Sequence, residues 1–146
     1  MLYFEDFYTG RSFELGPCTV DEQEMLAFAA RFDPQGIHRD ATAAAAAGFP
    51  EIIASGWFTA ALFMRMQCDA FMLKSACIAS PGLDNLRWVN PVVAGQVLAG
   101  KVTVVSARVL SSRPDTGIVT CDGCLRNAAG EAVMTLTSSA FYRRRN

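Results

Sequence analysis

Apolar residues recur at helical spacing first at Met25, Leu26, Phe28, Ala29 and Phe32. Thr19, with Glu22 three residues on, has the form of a capping box, which predicts a helix running to about Arg31. Asp33-Pro34 ends it, because the residue before a proline is pushed out of the α region. A short helix through the alanines at 43–47 follows, capped by Asp40 or Thr42 and ended by Gly48 and Pro50. Ser55 then caps a longer helix over 56–73. In it Trp57, Phe58, Ala60, Ala61, Leu62, Phe63, Met64 and Met66 surround the axis almost completely. A helix apolar nearly all round belongs inside something. Arg65, Gln67 and Asp69 interrupt the stretch, so it reads as a buried helix and not as a membrane span.

From residue 78 the pattern changes to strands. Lys101–Leu110 is rich in valine, and Pro114-Asp115-Thr116-Gly117 has turn chemistry. Ile118–Arg126 leads to a second turn at Asn127-Ala128-Ala129-Gly130, and Ala132–Tyr142 closes the set. Helices first and an antiparallel meander after them predict an α+β domain, one sheet packed on one buried helix. No linker, repeat or low-complexity tract divides the sequence, so residues 1–146 are expected to form a single domain.

Composition narrows the partners. The chain is 51% hydrophobic and 18% charged, with mean hydropathy slightly positive. That is more apolar surface than one small domain needs, and it predicts a homodimer or a dimer of dimers. The 13 basic and 14 acidic residues give a net charge of -1, with no basic face for nucleic acid. The five cysteines, Cys18, Cys68, Cys77, Cys121 and Cys124, are odd in number, and acidic residues stand at the N-terminus where a secretory leader would be basic. Reduced thiols and a cytoplasmic location are expected. Cys121-Asp122-Gly123-Cys124 has CxxC spacing without a second pair and reads as two ordinary thiols, ahead of redox chemistry. Arg143-Arg144-Arg145 reads as a solvated tail, ahead of a contact to carrier phosphates.

The chemistry concentrates in Phe32-Asp33-Pro34-Gln35-Gly36-Ile37-His38-Arg39-Asp40. His38 is the single histidine, and it follows Asp33 by five positions across a loop holding a proline and a glycine. A carboxylate and an imidazole brought to one point suit acid–base work on a water. On spacing alone, a histidine in a polar surface loop is the plainer reading. One histidine without clustered ligands makes no zinc centre, so no metal site is expected.

This segment resembles the Asp-x-Asn-Pro-x-His signature of MaoC-like acyl dehydratases and (R)-specific enoyl-CoA hydratases, which ends a helix. Further resemblances follow in chain order. Tyr3-Phe4-Glu5-Asp6-Phe7 with Gly10 is similar to that family's opening strand, and Ile53-Ala54-Ser55-Gly56-Trp57 to the start of its central helix. Ser80-Pro81-Gly82-Leu83, Leu86-Arg87-Trp88-Val89-Asn90-Pro91 and Gly95 are similar to the strand and turn after it. Gln35 and Gly36 depart from the family's Asn and Pro, which bears on substrate choice and loop rigidity.

The resemblance implies a hot-dog fold: an antiparallel sheet wrapped around a long central helix, with a helical overhang carrying the Asp/His loop. It implies a hydro-lyase that adds water to, or removes it from, the 2,3 bond of an acyl thioester, in fatty acid metabolism. Asp33 and His38 are then the catalytic pair. Gly56 and Ser55 become the groups at the thioester oxygen, because a helix N-terminus offers unpaired N–H groups and a favourable dipole. No cofactor is implied, the acyl group arriving on coenzyme A or on acyl carrier protein. Two alternatives stand beside this reading, a hot-dog acyl-CoA thioesterase and a non-catalytic acyl-thioester-binding protein. In the first a carboxylate would act from the central helix or the facing strand, and Asp69 lies well down that helix.

Overall fold

The valine-rich alternation of the second half becomes long antiparallel strands in the computed structural model, which describes residues 1–145. In chain order the strands are β1 (Ser12–Thr19), β2 (Cys77–Trp88), β3 (Val97–Leu110), β4 (Arg113–Arg126) and β5 (Ala132–Arg143). They form one sheet in the order β1-β3-β4-β5-β2, antiparallel throughout. Three α-helices precede most of it: α1 (Glu22–Phe32), α2 (Ala41–Ala46) and α3 (Gly56–Ala70). The sheet curls around α3, which is the hot-dog arrangement and an α+β fold.

Packing explains the curl. One face of α3 presents Phe58, Thr59, Phe63, Met66 and Gln67, all buried. Against them lie Leu98, Val102, Val104, Val119, Leu125 and Leu136 from the strands. Period-2 alternation puts such residues on a single face of each strand. Phe63 seats directly on Gly123 of β4, where an added Cβ would stand 2.6 Å from the ring. The missing side chain is what lets helix and sheet approach so closely.

Several boundaries differ from the sequence reading, each for a local reason. The cap of α1 is Asp21, whose carboxylate accepts the Glu24 N–H at 2.9 Å. Thr19, the expected cap, is instead the last residue of β1, paired with Val97. The segment Tyr3–Phe7 is not a strand but a 3-10 turn over Phe4–Asp6, closed by the Asp6 carboxylate accepting the Tyr3 N–H at 2.8 Å. The opening strand is β1, whose bulge between Leu15 and Cys18 breaks the alternation that would have announced it. The β3–β4 turn falls at Ser111-Ser112, so Pro114–Gly117 already lie in β4, where Thr116 is buried.

The expected total enclosure of α3 does not occur within one chain: Trp57 and Met64 are exposed. Its outer side lies towards the free edge of β2, a strand whose other edge pairs only with β5. The tail is largely exposed, as expected, but two of its arginines are paired at the surface. Nη2 of Arg145 meets both carboxylate oxygens of Asp6 at 2.8 and 2.7 Å, and Arg144 Nε meets Glu5 at 3.2 Å. Cys121 and Cys124 are free thiols in β4, and burial pushes the Cys121 thiol up to about 11, which suits an inert core residue. No helix among the described residues is long and apolar enough to cross a membrane, and no cluster of metal-ligating side chains occurs among them.

Candidate active site

The loop between α1 and α2 holds the chemistry because both ends of it are fixed. Asp33 caps the C-terminus of α1, its N–H bonded to the Ala29 carbonyl at 3.0 Å. Pro34 forbids another helical turn, and Gly36–His38 forms a single 3-10 turn. Asp40 then caps α2 by accepting the Ala43 N–H at 2.8 Å. A backbone bond from the Ile53 N–H to the Ile37 carbonyl, 3.2 Å, ties the loop to the strand-like segment leading into α3.

Asp33 and His38 meet. Oδ2 of Asp33 stands 3.4 Å from Nε2 of His38, with the His38 side chain 7% exposed and that of Asp33 16%. The opposite ring nitrogen, Nδ1, is 2.8 Å from the Ile53 carbonyl oxygen. A carbonyl only accepts, so Nδ1 carries the proton and, in the neutral ring, Nε2 turns a lone pair toward the carboxylate. Two acceptors then converge on one point. A molecule with two O–H donors satisfies both at once.

Asp33 is gripped from two further sides. Gln35 Nε2 donates to Oδ1 at 2.7 Å and the Ser55 hydroxyl donates to Oδ2 at 2.7 Å. The Gln35 bond first, and the Ser55 bond second, hold the carboxyl below its ordinary value, against the opposing effect of burial; the His38 charge adds a smaller push in the same direction. Asp33 therefore stays an anion. Ser55, expected at the thioester oxygen, has given its proton to Asp33, and its oxygen accepts the Trp57 N–H at 3.3 Å as the cap of α3. A hydroxyl has one proton, so Ser55 orients the carboxylate and does not donate elsewhere.

Gly56 is the first residue of α3, where N–H groups have no partner within the helix. The space that glycine leaves is filled by the indole of Trp88, which lies against its Cα. Trp57 meets the same indole edge-on, centroids 5.0 Å apart. Asp33, Gln35, His38, Gly56 and Thr59 all border one cavity of about 370 Å³, walled by apolar side chains that include Phe49, Ile53 and Val133.

All four residues singled out from sequence thus lie together. Sequence reasoning missed three contributors: Gln35 as a carboxylate partner, the Ile53 carbonyl that fixes the ring, and Thr59 in the cavity wall. Only Thr59 had a signal, four residues after Ser55 on the same helical face. Asp69 lies away from the cavity, exposed and paired with Arg65 at 3.0 Å.

Comparison with known proteins bears on the family. A model of the MaoC like domain matches residues 6–121. The crystal structure of a MaoC-like dehydratase from Rhodospirillum rubrum superposes with a TM-score of 0.91 at 36% identity, covering 100% of this chain and 99% of that one. The uncharacterized protein YdeM of Bacillus subtilis is 28% identical over 116 residues, 80% of this chain and 81% of its own. A 3-hydroxyacyl-thioester dehydratase Z of Mycobacterium tuberculosis is 33% identical over 96 residues, which span 64% of either chain. Because that domain model spans most of the sequence, the chain belongs to the MaoC-like dehydratase family.

Proposed function

We propose that the protein is a hydro-lyase acting on a 2-enoyl or 3-hydroxyacyl thioester, carried on coenzyme A or, as the second choice, on acyl carrier protein. The observation that supports this most is the 3.4 Å approach of Asp33 Oδ2 to His38 Nε2 with Nδ1 already engaged. A water held between the two donates one O–H to each. In hydration its oxygen bonds to the β-carbon while the π pair moves through the α-carbon onto the thioester oxygen. The water proton on the Nε2 side passes to that nitrogen. The same proton then goes to the α-carbon as the enolate collapses, and His38 is neutral again. Asp33 remains ionised throughout and aims the water. Dehydration runs the steps backwards.

The enolate oxygen needs donors aimed at it. The Gly56 N–H at the start of α3 suits that role, helped by the positive end of the helix dipole. A thioesterase reading finds less support, since the one carboxylate at the cavity is Asp33 and Asp69 is outside it.

The mature form is proposed to be a homodimer. The edge strand β2 exposes Ile78, Leu83 and Trp88, with Val89 just beyond it, beside exposed Trp57 and Met64 of α3. A free edge lined with large apolar groups is what a second copy covers.

The test is a panel of trans-2-enoyl-CoA thioesters, followed by loss of enoyl absorbance, with free thiol measured in parallel. Hydration without thiol release is expected. Thiol release with the double bond intact would replace this reading with hydrolysis.

A further inference from the structure

Thr59 is 2% exposed and borders the cavity that holds Asp33 and His38. Its backbone N–H is used, bonded to the Ser55 carbonyl at 3.1 Å. No hydrogen bond engages its hydroxyl among the described residues, yet none of their fully enclosed side-chain oxygens or nitrogens lacks a partner. The hydroxyl therefore opens onto the cavity. It has a donor and two lone pairs to offer, and no hydrogen bond among the described residues takes them.

The place of this hydroxyl is set by α3. Thr59 is one turn after Ser55, so their Cβ atoms lie about 5–6 Å apart on one face. Ser55 is bonded to Asp33 Oδ2, which faces the point where the β-carbon receives water. Thr59 thus lies one turn along α3 from the hydroxyl that holds Asp33, a separation that an oxygen on the γ-carbon spans by accepting a hydrogen bond from it. The same cavity is lined by apolar Ala54, Val92 and Val133, all buried. A water there would lack the two to four polar partners it needs. Gln35 has spent one amide N–H on Asp33, and Asn90 has spent one on the Ala132 carbonyl at 2.7 Å. The cavity lining contains no Lys or Arg, so an anionic oxygen has no counter-charge.

We infer that the Thr59 hydroxyl, buried and unpartnered in the cavity wall, reads a neutral oxygen on the γ-carbon of the acyl chain, so that oxo- or hydroxyacyl thioesters are preferred over plain or branched alkyl ones. This rests on the thioester reading given above and narrows it to a substrate class. Thr59 is a specificity residue. It takes no part in the proton transfers.

Two saturated, unreactive thioesters isolate the effect: 4-oxopentanoyl-CoA, and 4-methylpentanoyl-CoA, in which a methyl replaces the γ-oxygen. Binding of each to the purified protein is measured by calorimetry, with thermal melts on every variant. The parent should hold the oxo compound roughly five- to tenfold tighter, the worth of one neutral hydrogen bond. Thr59→Val, close in shape but without the hydroxyl, should lose or invert that preference, and Thr59→Ser should keep it. Should the parent bind the methyl compound equally well or better, the inference is overturned while the thioester reading stands. An unchanged preference in folded Thr59→Val overturns it too. If neither thioester binds the parent at millimolar concentration, the thioester reading itself falls and takes this one with it.

Discussion

The indole of Trp88 lies on the Cα of Gly56, in the volume where any side chain at residue 56 would begin. Sequence reasoning explains that glycine by the approach of a substrate oxygen. The structure gives it a second cause, the ring of a residue on the edge strand. The ring occupies the place of a Cβ whereas the proposed donor is the N–H, so the two separate experimentally.

Gly56→Ala should destabilise the fold by about 1–3 kcal/mol, the usual range for overpacking. A melt should show it, and Trp88→Leu placed beside Gly56→Ala should recover most of the loss. Gly56→Pro adds the same Cβ and also removes the N–H, so it is read against alanine and not against the parent. Loss of an oxyanion donor should cost a further hundred- to thousandfold in turnover, on the order of 3–4 kcal/mol. Equal turnover in folded alanine and proline variants would assign the donor elsewhere.

Asp33→Asn and His38→Ala should each remove two to four orders of magnitude of hydration, roughly 3–5 kcal/mol of barrier. The double variant should be hardly worse than either single one, because both groups act on one water. Enoyl absorbance gives the rates, and a near-normal rate in either single variant would dissolve the pair.

Gln35→Ala should move the acid limb of kcat/KM to higher pH. Its amide is the largest cause of the lowered Asp33 carboxyl, whose ordinary value is 3.8. The sign follows from linkage. A carboxyl depressed by folding stabilises the native state above 3.8, and that contribution is lost as pH falls through the lower folded value. The variant should therefore be less stable than the parent at neutral pH, and its deficit should shrink in acid. A pH–rate profile with an unmoved acid limb would show that Gln35 does not set the carboxylate.

Light scattering should find a dimer at micromolar concentration. Leu83→Lys, a charge on the exposed edge strand β2, should shift it to monomer with the cavity residues untouched. A parent that stays monomeric at that concentration would leave Ile78, Leu83 and Trp88 without an explanation.

The helices were largely legible because their signals are local. Asp33-Pro34 stops α1, Ser55 caps α3, and apolar spacing names the buried face. What escaped was set by distant partners. The 3-10 turn at Phe4–Asp6 is closed by Asp6 on the Tyr3 N–H, but it is also pinned by Arg144 and Arg145 from the far end of the chain, which no window of neighbouring residues contains. The same holds at the site. Asp33 and His38 were visible as a spaced pair in a family-like segment, whereas the Ile53 carbonyl is a backbone atom and leaves no mark in side-chain chemistry. Ser55 was found in the right place for a different bond, because a capping hydroxyl looks the same in sequence whether its proton goes to substrate or to Asp33.

The bond from His38 Nδ1 to the Ile53 carbonyl leaves Nε2 as the one ring nitrogen open to the cavity, so on the proposed reaction the imidazole would carry a proton from one end only. A proton that enters through Nε2 cannot leave through the other nitrogen, since that side is closed by an oxygen that is already satisfied. It must go back out over the same face of the substrate from which the water came. In the proposed hydration the hydroxyl and the new hydrogen would then join the double bond from one side, so the geometry of a single ring would set the relative configuration of two carbons. In deuterated water, a vicinal coupling constant of the product reads out that relative configuration.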